Sequence, residues 1–200
     1  VVDIAPIQEA CKRTPRSCGK VVGRVLVVMQ EGLDARNTPL TLAQVLPIIS
    51  PAASTKGGAI LSTPGQFHLQ PISEKLAVRF AVITGDMLNF LDEDRIATLR
   101  VSSDTLLKES LKNAEAIASI YLVPFPGAAG VFQAIGRLPA SGLLTPTHAD
   151  KIRADLKAKE IAVSFPRAGT TLIANAENSA DIAKLREIAK RFQQPESAVI

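Results

Sequence analysis

Residues 160–192 place the tightest limits on the fold, because the hydrophobic period changes twice within them. Ile161 to Phe165 is a short apolar run, Pro166-Arg167-Ala168-Gly169 interrupts it, and Thr170 to Ala174 resumes it. Asn178-Ser179 then offers side-chain caps for an amphipathic helix reaching Phe192. Strand, tight turn, strand and helix in that order pair the strands antiparallel and lay the helix across them. The segment carries no metal cluster, phosphate loop or activated nucleophile. It reads as a fold marker.

The same reading extends back along the chain. Leu76 to Thr84 is nearly all apolar, the pattern of a central strand, and Gln66 to Pro71 reads as a strand before it. Gly85 to Asp94 reads as a polar turn. Ser103 caps a long helix to about Ser119, with Leu106, Leu107, Leu111, Ala114 and Ile117 as its apolar stripe. Ile120 to Pro124 and Val131 to Ile135 are strands joined by a turn over Pro126 to Gly130, and Thr147 opens a helix to about Ala158. From Leu76 onward the order is β, α, β, β, α, β, β, α. It predicts an α+β fold: a mainly antiparallel sheet with helices on one face, preceded by an N-terminal helical segment.

That segment reads as helix over Ala5 to Ala10, helix from Cys18 to Glu31 closed by Gly32, and a short helix from Thr41 to about Leu46 stopped by Pro47. A connection over Ser50 to Gly58 separates it from the rest. The expected organisation is an N-terminal helical segment, residues 1–50, and an α+β domain, residues 59–200.

Composition excludes several function classes. Aromatic residues are 4% of the chain with no Trp, so the core is aliphatic and few rings exist to stack on bases. The formal charge of +4 is mild, and its one basic concentration, Lys12 to Arg24, reads as a solvated helix face. Both features argue against a nucleic-acid binder. No run of eighteen apolar residues is present, which predicts no transmembrane segment. The chain starts at Val1 rather than Met, so removal of something upstream is expected, either by cleavage of a signal peptide or by trimming, which the sequence does not distinguish.

Cys11 and Cys18, the only two cysteines, flank a segment in which Pro15 breaks the preceding helix and turns the chain. A disulfide across that turn, in an exported protein, is the favoured reading. Reduced thiols in a cytosolic protein are the alternative. A redox or metal site is a third, disfavoured because the spacing is not Cys-x-x-Cys and the two histidines lie far away.

Candidate chemistry is sparse. Pro126 to Gly130 precedes a strand rather than a helix, so it reads as a hairpin turn and not a phosphate cradle. Asp92, Glu93 and Asp94 lack the alternating ligand spacing of a calcium loop and read as helix-start residues. His68 and His148 have no nucleophile or orienting group nearby in sequence. Arg167, at the tip of the closing hairpin, presents a guanidinium suited to a carboxylate or phosphate. No cofactor is implied.

Three stretches carry a resemblance to a known family. They are Ala77 to Ile83 followed by Ile96 to Leu106 and the Asn113 helix, then Ser141-Gly142-Leu143-Leu144-Thr145-Pro146, then Ile161 to Ile173 around Pro166-Arg167-Ala168. Together they resemble the YtpQ-like bacterial family, a domain of unknown function, over roughly residues 76–192. The resemblance implies a fold and no reaction. The family's turn carries an acid after the arginine, which this chain lacks.

The expectation is a non-enzymatic, exported domain, periplasmic or extracellular, binding another protein or a small anionic ligand. Arg167, His68 and His148 are its possible contacts. The alternatives are a hydrolase or transferase drawing on His68, Asp86 or Arg167, and a cytosolic adaptor with reduced thiols.

Overall fold

The computed structural model describes residues 5–13, 15–51, 68–85, 87–167 and 169–193. Most of the Ser50 to Gly58 connection, Gln66 and Phe67 of the expected strand, Asp86 and Ala168 lie outside the described residues. The chain forms two compact units, residues 1–110 and 111–200. Both are built on antiparallel sheets with helices, an α+β architecture.

The first unit opens with helices α1 (Ala5–Arg13) and α2 (Cys18–Asn37), which are joined by a single 3-10 turn at Pro15–Ser17. Cys11 and Cys18 are disulfide-bonded across that turn, with Cα atoms 4.6 Å apart. The helix expected to end at Gly32 continues to Asn37. One glycine costs about 1 kcal/mol in a helix interior, and Leu33 to Arg36 are residues that continue a helix. Closing so short a loop stabilises by about 2–3 kcal/mol. Replacing both cysteines by serine is therefore expected to weaken amide-exchange protection in α1 and α2 by that amount. Protection in the second unit's sheet should not change, and a uniform loss would contradict a purely local brace.

The sheet of the first unit has strands β1 (Leu46–Pro51), β2 (Leu69–Pro71), β3 (Leu76–Thr84) and β4 (Met87–Phe90). Central β3 pairs with β1 along one side and with β2 and β4 along the other. Two expectations are corrected here. The third helix is only a 3-10 turn, Leu42–Gln44, after which the chain runs extended as β1. β1 also spans the expected boundary at residue 50, since Leu46 to Pro51 lie opposite Ala81 to Leu76.

The register of β1 accommodates its two prolines. Leu91 donates to the Phe80 carbonyl, so the backbone groups of Phe80 point toward β4 and away from β1. Pro47 lies opposite Phe80 and Pro51 opposite Leu76, both at non-bonded positions. Their missing N–H groups would face away from β3, so no bond of the β1–β3 ladder is lost.

The polar turn expected over Gly85 to Asp94 also holds structure: β4, and then helix α3 (Glu93–Thr98). Asp92 Oδ1 accepts from the Arg95 N–H at 2.9 Å, so this acid is a helix cap. Helix α4 (Ser103–Ile117) follows.

The second unit has β5 (Tyr121–Pro124), β6 (Val131–Ile135), helices α5 (Pro139–Gly142) and α6 (Pro146–Leu156), then β7 (Ile161–Arg167), β8 (Thr170–Asn175) and α7 (Ser179–Gln193). Its sheet order is β5-β6-β8-β7, antiparallel throughout. Residues alternate between its faces. Val131, Leu172 and Ala174 pack with Leu185 and Ile188 of α7, whereas Ala134 and Ile173 pack with Ile120 and with Ile152 of α6. The expected single helical face is thus a sheet covered on both faces in this unit. A strand such as β8, with Thr171, Leu172, Ile173 and Ala174 in sequence, buries apolar groups on either side and requires a cover for each.

Candidate functional site

The sites nominated by residue type do not converge. His68 lies in the first unit, its ring 5.9 Å from the Phe80 ring, packed against the sheet. His148 lies in the first turn of α6. Its Nε2–H donates to the Ala118 carbonyl at 3.1 Å, and Nδ1 lies 2.9 Å from Thr145 Oγ1, whose hydroxyl donates to Gly142 O. These contacts tie the end of α4 to the start of α6, a structural task. Arg167 Nε donates to Thr170 Oγ1 at 3.2 Å, and its guanidinium carbon sits 4.7 Å above the Phe192 ring. Within the second unit, His148 belongs to the α6 side of the sheet and Arg167 to the α7 side. They share no site.

A buried arginine was missed in the sequence. Arg79 sits at the centre of β3 with its guanidinium 3.9 Å from the centre of the Phe90 ring. Burial lowers its pKa from the ordinary value because desolvation disfavours the charged form. It reads as an apolar strand position because an arginine stem packs like an aliphatic chain. Among the described residues no group of three or more acids, histidines and cysteines is placed to hold a metal ion.

A groove lies along β7 and α7. The unit's sheet ends at β7, and no described strand pairs with its outer side. Ala176 donates to the Glu160 carbonyl, which makes Glu160/Ala176, Ala162/Ala174 and Ser164/Leu172 the hydrogen-bonded pairs. Ile161 and Val163 occupy the alternate positions. Their N–H and C=O groups therefore point away from β8, to the open edge. Ala162 and Ser164 face α7, and being small they leave a groove of about 400 Å³ between strand and helix.

The helix side of that groove follows from the spacing of α7. Asn178 Oδ1 caps the helix by accepting from Ala180 at 3.0 Å. Leu185 and Ile188 turn into the core. The neighbouring flank presents Ile182, Arg186 and Lys190, each four residues after the last, with Ala189 beside them, to the groove. Arg186 and Lys190 are exposed, and they are the charged side chains on its lining. The geometry offers main-chain donors and acceptors on one wall, an apolar floor and two cations on the other wall. No family model, curated protein or solved structure matches this chain.

Proposed function

We propose that this protein is a non-enzymatic binding domain, working in an oxidising compartment outside the cytoplasm, whose ligand seats in the β7–α7 groove. The observation that carries this reading is the open edge at Ile161 and Val163 beside the cationic flank Arg186/Lys190. The Cys11–Cys18 disulfide supports the compartment, since such bridges persist where glutathione does not reduce them. The engagement of Arg167 with Thr170 and Phe192, and of His68 with Phe80, weighs against the hydrolase or transferase alternative. Kinship with the YtpQ-like family remains part of the proposal and adds no reaction to it.

Two measurements test it. A photoreactive residue at Ser164, in protein expressed in its own source, should give a discrete crosslinked adduct that is lost when Arg186→Glu and Lys190→Glu are combined. The same residue at exposed Ala116 should give none, and equal labelling at both positions would defeat the reading. Intact mass without reductant should be lighter by two hydrogens than after reduction. Fully reduced thiols in natively produced protein would favour the cytosolic adaptor instead.

A further inference from the structure

Resting on that reading, we infer that the occupant of the groove is an extended peptide segment carrying acidic side chains, added antiparallel or parallel to β7 as a fifth strand. Three observations meet at this one place.

The first is main-chain polarity. Ile161 and Val163 turn consecutive donor–acceptor pairs outward at the spacing an added strand requires. The second is the contrast with β1, the edge strand of the other sheet. β1 places Pro47 and Pro51 at its outward positions, a device that blocks strand addition. In β7 the proline and the irregularity in pairing fall beyond Ser164, at Pro166 and Arg167, so the stretch Ile161 to Ser164 beside the groove carries neither.

The third is charge. Alternate side chains of an added strand project to the same face as Ala162 and Ser164, into the groove and toward α7. There they meet Arg186 and Lys190, with Arg167 at the hairpin end of the same strand. Carboxylates at alternate positions complement those cations, and small or apolar residues between them project to the opposite face, beside Ile161 and Val163. A free small anion satisfies the cations alone and leaves the outward amides of Ile161 and Val163 to water.

The test uses the full chain, isotopically labelled, titrated with an acetylated peptide of about eight residues alternating valine and glutamate. Saturable binding with amide shifts at Ile161, Val163 and the Arg186 to Lys190 turn is expected. N-methylation of the alternate peptide amides that would face β7, or glutamate replaced by lysine, should weaken binding about tenfold or more. Arg186→Glu with Lys190→Glu should reverse the preference, so that the lysine peptide binds better than the glutamate one. Val163→Pro removes an outward donor without removing a bond to β8 and should abolish binding, its fold being checked by circular dichroism. The charge-reversal pair, on an exposed flank, decides the matter if that variant does not fold. An N-methylated peptide binding within twofold of the parent overturns strand addition and leaves the groove as a site for anions. Absence of peptide binding while Ser164 still crosslinks a partner overturns the acidic-strand occupant alone. Loss of both overturns the binding reading as well.

Discussion

Gly136→Ala is expected to destabilise the second unit by about 3–5 kcal/mol, enough to leave it largely unfolded or insoluble. Gly136 follows β6 with φ +124°, a backbone region that L side chains rarely adopt. A Cβ built there would lie 2.2 Å from the Ser119 carbonyl oxygen, a backbone atom with no rotamer to give way. Nor is Ser119 free to move. Its N–H donates to Arg137 O at 2.9 Å, and its Oγ accepts from the Arg137 N–H at 3.0 Å. These bonds hold the approach to β5 against the exit from β6.

Gly127 supplies the control. It has φ +75°, but a Cβ there meets nothing within 4 Å. Gly127→Ala should therefore cost only the conformational strain, about 1 kcal/mol. Urea denaturation of both variants reads the difference. Equal midpoints would show that the close approach at Ser119 is not what holds Gly136 in place.

The second large effect is expected in the first unit. Phe80 is fully buried at the centre of β3. It lies opposite Pro47 of β1, and its carbonyl accepts from Leu91 beyond β4. Truncation to alanine removes a fully buried ring from the central strand, including the surface on which the His68 ring rests. Phe80→Ala should cost about 3–5 kcal/mol, the usual range for a buried phenylalanine whose neighbours cannot collapse into the space. Phe80→Leu, which keeps most of the volume, should cost under about 2 kcal/mol. Amide exchange should localise the loss to β1, β3 and β4. A small, diffuse change would mean that the ring does not organise that sheet.

Legibility in the sequence followed the range of the interactions concerned. The elements of residues 160–192 were legible because each is specified by neighbours in sequence: Pro166 and Gly169 at the turn, Asn178 at the helix cap, and the change from alternation to helical spacing. The Cys11–Cys18 bridge was legible for the same reason, seven residues apart around Pro15. β1 was not, because its short run with two prolines forms a strand only once β3 lies alongside and the register turns those prolines outward. β4 and α3 were hidden in a polar stretch that the pairing with β3 and the Asp92 cap convert into structure.

The candidate site divides the same way. Arg167, His68 and His148 drew attention by residue type, and their internal contacts with Phe192, Phe80 and Ala118 were invisible without the fold. The groove residues had the opposite character. Ala162 and Ser164 carry no chemical signature, and Arg186 and Lys190 read as ordinary charges on a helix; only their four-residue spacing hinted at a shared flank.

By itself the sequence determined the α+β class, the turn that brings Cys11 and Cys18 near each other, and the closing hairpin and helix, all consequences of local period, turn chemistry and capping. The tertiary structure alone decided which backbone groups of β7 face outward, which helix covers which face of the second sheet, and where two cations stand beside an open edge. Those properties depend on register, and register is set by partners far apart along the chain. A shift of one residue would turn the main-chain groups of Ile161 and Val163 inward, put those of Ala162 and Ser164 on the edge instead, and take the Ala162 and Ser164 side chains off the α7 face.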